Sequence, residues 1–240
     1  MSAAVSAPAR PASPADVVAL QYGNPYRMLG VPLIILGAVV ALTVAVSLIV
    51  LRAGGDPGRA DFNASVLYSV LGYTVALGVQ NVSSSFPFAL ALGSTRRAFV
   101  LGNLATAVVQ ALIVAALSVA LLGVEVVTRG WFVGTATFGS VLLGDGDPLV
   151  LGGVVFATML GALSVGSVFG ASWIRFGARG PLALSLVGAV VLAVLLLLLV
   201  PQLGAITAAF RPWWIAVGIA GVIGLATVGE YLSLRRASVR

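Results

Sequence analysis

Phe86-Pro-Phe-Ala-Leu-Ala-Leu-Gly-Ser-Thr-Arg-Arg-Ala-Phe-Val-Leu-Gly-Asn103 sets a short polar turn, Gly93-Ser94-Thr95-Arg96-Arg97, between two long apolar segments. Two apolar helices joined by so few residues must run antiparallel, and the paired arginines orient the turn toward one side of a membrane. A turn this short is also a compact handle through which a soluble partner would move both helices.

The composition around the turn sets the class. Apolar residues make up 60% of the 240 and charged residues 8%, against about 25% charged in soluble domains. A soluble core of this size has no use for so much apolar surface, so the expected class is an all-α integral membrane protein. The net charge of +6 comes entirely from arginine, since the chain has no lysine. These arginines sit at the ends of apolar runs, where they orient spans and meet lipid headgroups, so membrane lipids and not nucleic acid are the expected partners.

The missing residue types exclude much chemistry. Without histidine or cysteine, the commonest general base, the thiol nucleophile and a zinc site all lack their parts. No aspartate falls within a predicted span, so a paired-aspartate protease has nothing to work with. Without lysine the phosphate-binding Gly-x-x-x-x-Gly-Lys-Ser/Thr loop cannot occur. The chain is therefore expected not to be an enzyme and to bind no cofactor or metal itself.

Apolar intervals, charge-free except for Glu230 in the last, mark six expected spans: Met28–Leu51, Phe62–Thr95, Ala98–Val124, Pro148–Ile174, Pro181–Val200 and Pro212–Leu232. The second is too long. As one helix it would run roughly 50 Å against a hydrocarbon core of roughly 30 Å, so it must tilt, project or break, with Pro87 the expected kink. With the N-terminus inside, Arg10, Arg27, Arg96, Arg97, Arg175, Arg179, Arg235, Arg236 and Arg240 are cytoplasmic. Only Arg52, Arg59, Arg129 and Arg211 lie outside. Nine against four places both termini in the cytoplasm.

The expected organisation follows. Residues 1–13 form a disordered Ala/Pro/Ser-rich tail, and 14–27 an interfacial elbow helix and linker opened by the Ser13-Pro14-Ala15-Asp16 start signal. Residues 28–232 form the transmembrane domain and 233–240 a basic tail. The outer loop Thr128–Asp147 is apolar enough for an interfacial or re-entrant piece, as is Pro201–Arg211. Trp131, Trp213 and Trp214 fall at the outer boundary and Trp173 at the inner one, as in an aromatic belt. Gly166 and Gly170, and Ala216, Ala220 and Gly224, have the spacing of close helix contacts, with packing inside one chain favoured over a dimer seam. The Leu192–Val200 run has no polar face and is expected to meet lipid.

Polar residues inside spans cluster on the second and third. Gln80, Asn81, Ser84, Asn103 and Gln110 either line a translocation path or join helices by hydrogen bonds, and the sequence leaves both open. Glu125 and Glu230 approach span ends and read as interfacial carboxylates.

Six spans, cytoplasmic ends and the Ala-Leu-Gly-Ser-Thr-Arg-Arg-Ala-Phe turn after the second span resemble bacterial ABC transporter permeases of the type-2 export class. In that family the corresponding loop carries a short coupling helix that docks on the ATPase subunit. The resemblance implies a docking element at Leu92–Phe99, with Gly93, Ser94, Thr95, Arg96 and Arg97 as its turn. Trp173-Ile-Arg-Phe-Gly-Ala-Arg-Gly180 looks like the second cytoplasmic loop, which adds Arg175 and Arg179. The segment Pro14–Tyr22 matches the elbow helix in position. What the resemblance implies is a permease subunit in the bacterial plasma membrane, paired with a second copy or a homologue. ATP and Mg would bind at a separate ABC ATPase subunit. An ion-independent channel, a secondary carrier and a non-transporting scaffold are the alternatives. A carrier would need an ionisable site near mid-membrane.

Overall fold

The computed structural model describes residues 13–56, 65–140, 143–202 and 213–237. The expected tail at 1–12, the tip of the first outer loop, the piece following Gln202 and the last three residues lie outside them. All regular structure in the described residues is helical: α1 (Pro14–Gln21), α2 (Val31–Arg52), α3 (Ser65–Ala91), α4 (Arg96–Val127), α5 (Pro148–Phe176), α6 (Arg179–Leu199) and α7 (Trp213–Arg235). A π-helical turn, Tyr26–Gly30, leads into α2.

Five of these are long and apolar enough to cross a membrane: α2 with its leading turn, α4, α5, α6 with its 3-10 extension to Gln202, and α7 from Val217. The protein is thus built for multiple membrane passes. The expected second span is the exception. Its helix, α3, has the length at 27 residues, but Gln80, Asn81 and Ser83 to Ser85 dilute its apolar character.

Local chemistry sets the helix ends. At the start of α1 the Asp16 carboxylate accepts from Ser13 N at 2.6 Å and from Ser13 Oγ at 2.8 Å, as its start signal predicts. Asp147 caps α5 by accepting from Leu149 N at 2.8 Å, with Pro148 in the first helical position where no N–H is needed. The long interval at 62–95 is resolved by a stop at Ala91. Ser94 N donates to Ala89 O at 2.9 Å and Gly93 N to Leu90 O at 3.0 Å, with Gly93 at φ +86°. That is a Schellman stop, which needs the left-handed residue glycine supplies. Thr95 immediately caps the next helix, its Oγ1 accepting from Ala98 N at 3.1 Å. A terminator and an initiator meet with one residue between them, so the joint is rigid. No separate short helix forms at Leu92–Phe99: Arg96 to Phe99 are the first turn of α4 itself.

The most extensive helix contact is between α3 and α5, and glycine makes it possible. A Cβ on Gly78 would lie 2.5 Å from Leu163 O, on Gly166 2.2 Å from Val75 O, and on Gly170 2.6 Å from Val79 O. The Gly166/Gly170 spacing therefore serves packing inside one chain. The Ala220 and Gly224 face of α7 is exposed, and Gly224 has no neighbour within 4 Å where a Cβ would stand.

Two buried apolar cores result. The larger draws Leu36, Leu77, Val114, Leu151 and Met159 from α2 to α5. The smaller lies beneath the 92–95 turn and joins Val17, Val82, Phe86, Phe99, Ala171 and Leu234. Phe86 and Phe99 meet edge to face with centroids 5.1 Å apart, a pair worth about 1 kcal/mol beyond its burial. In contrast, no residue in the apolar stretch of α6 is buried, and the Leu192–Val200 run is exposed throughout.

The elbow helix forms within the expected stretch and packs tightly onto the bundle. It does not merely lie alongside the bundle: Val17 is 1% exposed and Gln21 3%, and α1 is seated on α4. Gly102 is the seat, where a Cβ would stand 2.6 Å from both Pro14 O and Val17 Cβ. Val17 enters the smaller apolar core, and close approach at Gly102 and the hydrogen bonds of Gln21 hold the rest of α1.

The loop after α4, expected as an interfacial or re-entrant piece, has a polar centre. It folds around the buried carboxylate of Glu125, which is 4% exposed. Glu125 Oε2 accepts from Trp131 Nε1 at 2.8 Å and from Thr137 N and Phe138 N, each at 2.9 Å; Oε1 accepts from Gly139 N at 2.9 Å. Glu125 is thus the core of the loop and not an ordinary interfacial carboxylate. Trp131 is half-buried and packs against the buried Phe138, with ring centroids 6.4 Å apart. Glu125→Ala is expected to free the loop by leaving four donors unpaired. At about 1–3 kcal/mol for each buried unsatisfied group, hydrogen exchange at Thr137 to Gly139 should accelerate at least tenfold, while amides in α5 remain as slow as in the wild type.

Candidate functional site

The 92–95 turn, α1 and the C-terminal end of α7 gather at one end of the bundle. Arg96 fixes this arrangement. Its guanidinium donates from Nη1 to Leu234 O at 2.7 Å and to Arg235 O, and from Nη2 to Ala237 O at 2.9 Å. The Leu234 and Arg235 carbonyls end α7 and the Ala237 carbonyl lies just beyond it. Leu234 O also accepts from Ala237 N at 3.3 Å, and a cation there complements the helix dipole. Arg175, in the last turn of α5, reaches Leu232 O of the same helix at 3.4 Å and stacks 4.5 Å over Phe176. The two arginine-bearing turns therefore flank one helix terminus.

The sequence-derived coupling residues divide accordingly. Gly93 and Thr95 are exposed and shape the turn, whereas Ser94 is buried. Arg96 is half-buried and occupied with α7. Arg97 is exposed and borders a cleft of about 380 Å³ with Val100, Leu101, Thr227 and Tyr231. Arg179 is exposed at the start of α6, and Arg235 and Arg236 are exposed at the end of α7. The outward charge at this end is thus carried by Arg97, Arg179, Arg235 and Arg236.

Beneath the arginines lies a buried polar network. Asn103 is its centre: Oδ1 accepts from Gln21 Nε2 at 3.1 Å, while Nδ2 donates to Ser167 Oγ at 2.9 Å and to Glu230 Oε1 at 3.0 Å. Gln21 Nε2 also reaches Asn81 O at 3.2 Å, and Asn81 Oδ1 accepts from Arg27 Nη2 at 2.7 Å. Two turns further along α4's polar face, Gln110 Nε2 donates to Met28 O at 2.6 Å and Gln110 Oε1 accepts from Tyr22 OH at 3.1 Å. Tyr73 OH completes the tie by donating to Arg27 O at 2.5 Å.

Of the five polar residues singled out in the sequence, Asn81, Asn103 and Gln110 are brought into this network, and all are buried. Gln80 and Ser84 face outward. The polar side of α4 is covered within the chain by the segment from Gln21 to Met28. The partners Gln21, Tyr22, Arg27, Ser167 and Glu230 were not singled out as site residues. Glu230 did carry a signal, as the sole acid in the last apolar interval. Gln21 carried none, because a glutamine in a short surface-like helix is ordinary. Set against known protein families, curated proteins and solved structures, the chain matches none.

Proposed function

We propose that the chain is the membrane-spanning permease subunit of an ATP-driven exporter in a bacterial plasma membrane. In this reading it has six spans, α3 included, and both termini are cytoplasmic. It pairs with a second copy or a homologue, and ATP and Mg are bound at a separate ATPase subunit. The observation that carries the reading is the mechanical continuity of the 92–95 joint. A push on it reaches α3 and α4 directly, α7 through Arg96, and α1 and α5 through Asn103 and the Phe86–Phe99 core. A rigid joint tied to five helices suits transmission of a partner's closure into a change of access.

A second reading is favoured by one group. Glu230 is a carboxyl buried within a membrane-length helix among Asn103 and Ser167, and ionisable groups so placed mark ion or proton paths by default. A secondary carrier would use it and would need no ATPase.

The two are separated by purifying the tagged protein from its native membrane and assaying ATP hydrolysis in what accompanies it. The permease reading expects a stoichiometric ATP-binding subunit that is lost with Arg97→Glu while the variant elutes as folded protein. Arg97 is the informative position. Substituting Arg96 would release the end of α7 and confuse lost docking with lost structure. Absence of any ATP-binding subunit, with Arg97→Glu behaving as wild type, sinks the permease reading and leaves the carrier.

A further inference from the structure

A cleft of about 200 Å³ opens between α1, the π-helical turn and the end of α3. Its polar lining is Gln21, Asn24, Arg27, Ser84 and Ser85, and its apolar walls are Leu20 and Phe88. No acidic side chain lines it. We propose that this cleft binds the phosphate of an anionic amphiphile, a phosphate ester whose oxygens meet Arg27 and the Asn24 amide while its apolar tail leaves along Phe88.

Three observations support the assignment. First, the charge of Arg27 is not neutralised by its known bond, which goes to the neutral amide oxygen of Asn81 at 2.7 Å. Its Nε remains a buried donor without a partner, and such a group costs about 1–3 kcal/mol until something satisfies it. Second, Gln21 is 3% exposed and its Oε1 also has no partner. An orphan donor and an orphan acceptor beside one cleft are met together by a group bearing both oxyanion and hydroxyl, as a phosphoglycerol does. Third, the chemistry suits the place. The cleft lies at the level where the chain enters α2, where α1 and the turn after α3 also lie. Basic pockets between spans at that depth take phosphate headgroups. Phe88 is 54% exposed, an apolar wall that opens onto the surface of α3. The guanidinium's planar fork matches a phosphate in a way a point charge would not.

The site is independent of whether an ATPase couples to the chain. If both hold, the ligand sits where α1 is bolted to α3 and would stiffen that joint.

The test uses the full-length protein in neutral detergent, titrated by calorimetry with short-chain phosphatidylglycerol, inorganic phosphate and dioctanoylglycerol. Phosphatidylglycerol is expected to bind and dioctanoylglycerol, which lacks the phosphate, to bind at least tenfold more weakly. Competition by inorganic phosphate would make the phosphate itself the ligand, from whichever source. Binding that inorganic phosphate does not disturb would make it a lipid headgroup. Arg27→Gln should raise the Kd by about tenfold or more, the loss expected for a charge-assisted contact. Because Arg27 also holds Asn81, a second variant is needed. Ser84→Trp fills the cleft from its exposed rim, leaves the Arg27–Asn81 bond in place, and should block binding equally. Equal affinity for dioctanoylglycerol, no binding of either phosphate compound, or unchanged phosphatidylglycerol affinity in Ser84→Trp would each overturn the proposal.

Discussion

Gly166→Ala is expected to lose the folded bundle at temperatures the wild type survives, although the change adds a single methyl group. The new Cβ would stand 2.2 Å from Val75 O and 3.0 Å from the Cα of Gly78. Both obstacles are backbone, so no side chain can swing aside. The helices must separate, and α3–α5 is the most extensive seam among the described helices. Overpacking a well-fitted contact costs about 1–3 kcal/mol, and this one lies at the severe end because main chain meets main chain. A control exists on the same helix: Gly161 has no atom within 4 Å of the Cβ position. Gly161→Ala should be neutral, or stabilising by up to about 1 kcal/mol from helix propensity. The measurement is the temperature at which detergent-solubilised protein loses its monodisperse elution peak. A fall of about 5–10 °C for Gly166→Ala, with none for Gly161→Ala, is the expected result. Equal behaviour of the two variants would mean that α3 and α5 do not cross at Gly78 and Gly166.

Asn103→Leu is expected to be nearly as damaging, for a different reason. One amide side chain satisfies Gln21, Ser167 and Glu230 at once. Leucine keeps the volume and removes every bond, leaving a buried carboxyl without this donor. The cost is about 2–3 kcal/mol, set by the unsatisfied group and not by the net value of the bond. The double variant Asn103→Leu/Glu230→Leu removes both partners of that bond and should recover much of the loss, because replacing a buried polar pair by apolar side chains is often neutral. The readouts are thermal midpoint and proteolysis of α1, which loses one of the two bonds made by Gln21 Nε2 and should be cleaved faster in the single variant. A double variant no more stable than the single one would show that Glu230 depends on other partners.

These two sites mark how far the sequence could be read. Helix class and multiple passage followed from the long charge-free runs, because apolar surface on that scale has no other use. The start of α1 followed from Ser13 and Asp16, where a local signal acts alone. The stop at Gly93 and the cap by Asp147 obey equally local rules, but the sequence reading runs the second span on to Thr95, with Pro87 as its kink. The glycine spacing at 166 and 170 pointed to a close contact within the chain, though not to Gly78 as its counterpart. The candidate site was legible only in part. Asn81, Asn103 and Gln110 stood out as polar residues in apolar helices, but their partners lie 54 to 127 positions away along the chain for the bonds to Arg27 and Glu230. No local pattern encodes a pairing at that separation.

What the sequence by itself determined is therefore one-dimensional: which segments are helical and apolar, where they stop, and which residue types are present to do chemistry. The hydrophobic cost of each segment and the geometry of each cap are properties of a few adjacent residues, so they can be read in order. Tertiary structure alone decided that Arg96 caps α7 while Arg97 stays free, and that α1 is bolted to the bundle through Gln21. It alone decided that Glu125 gathers its loop and that an arginine with an unpaired donor borders a cleft. Each of these depends on which helix stands beside which, and that is settled by close packing and by the need to satisfy every buried polar group.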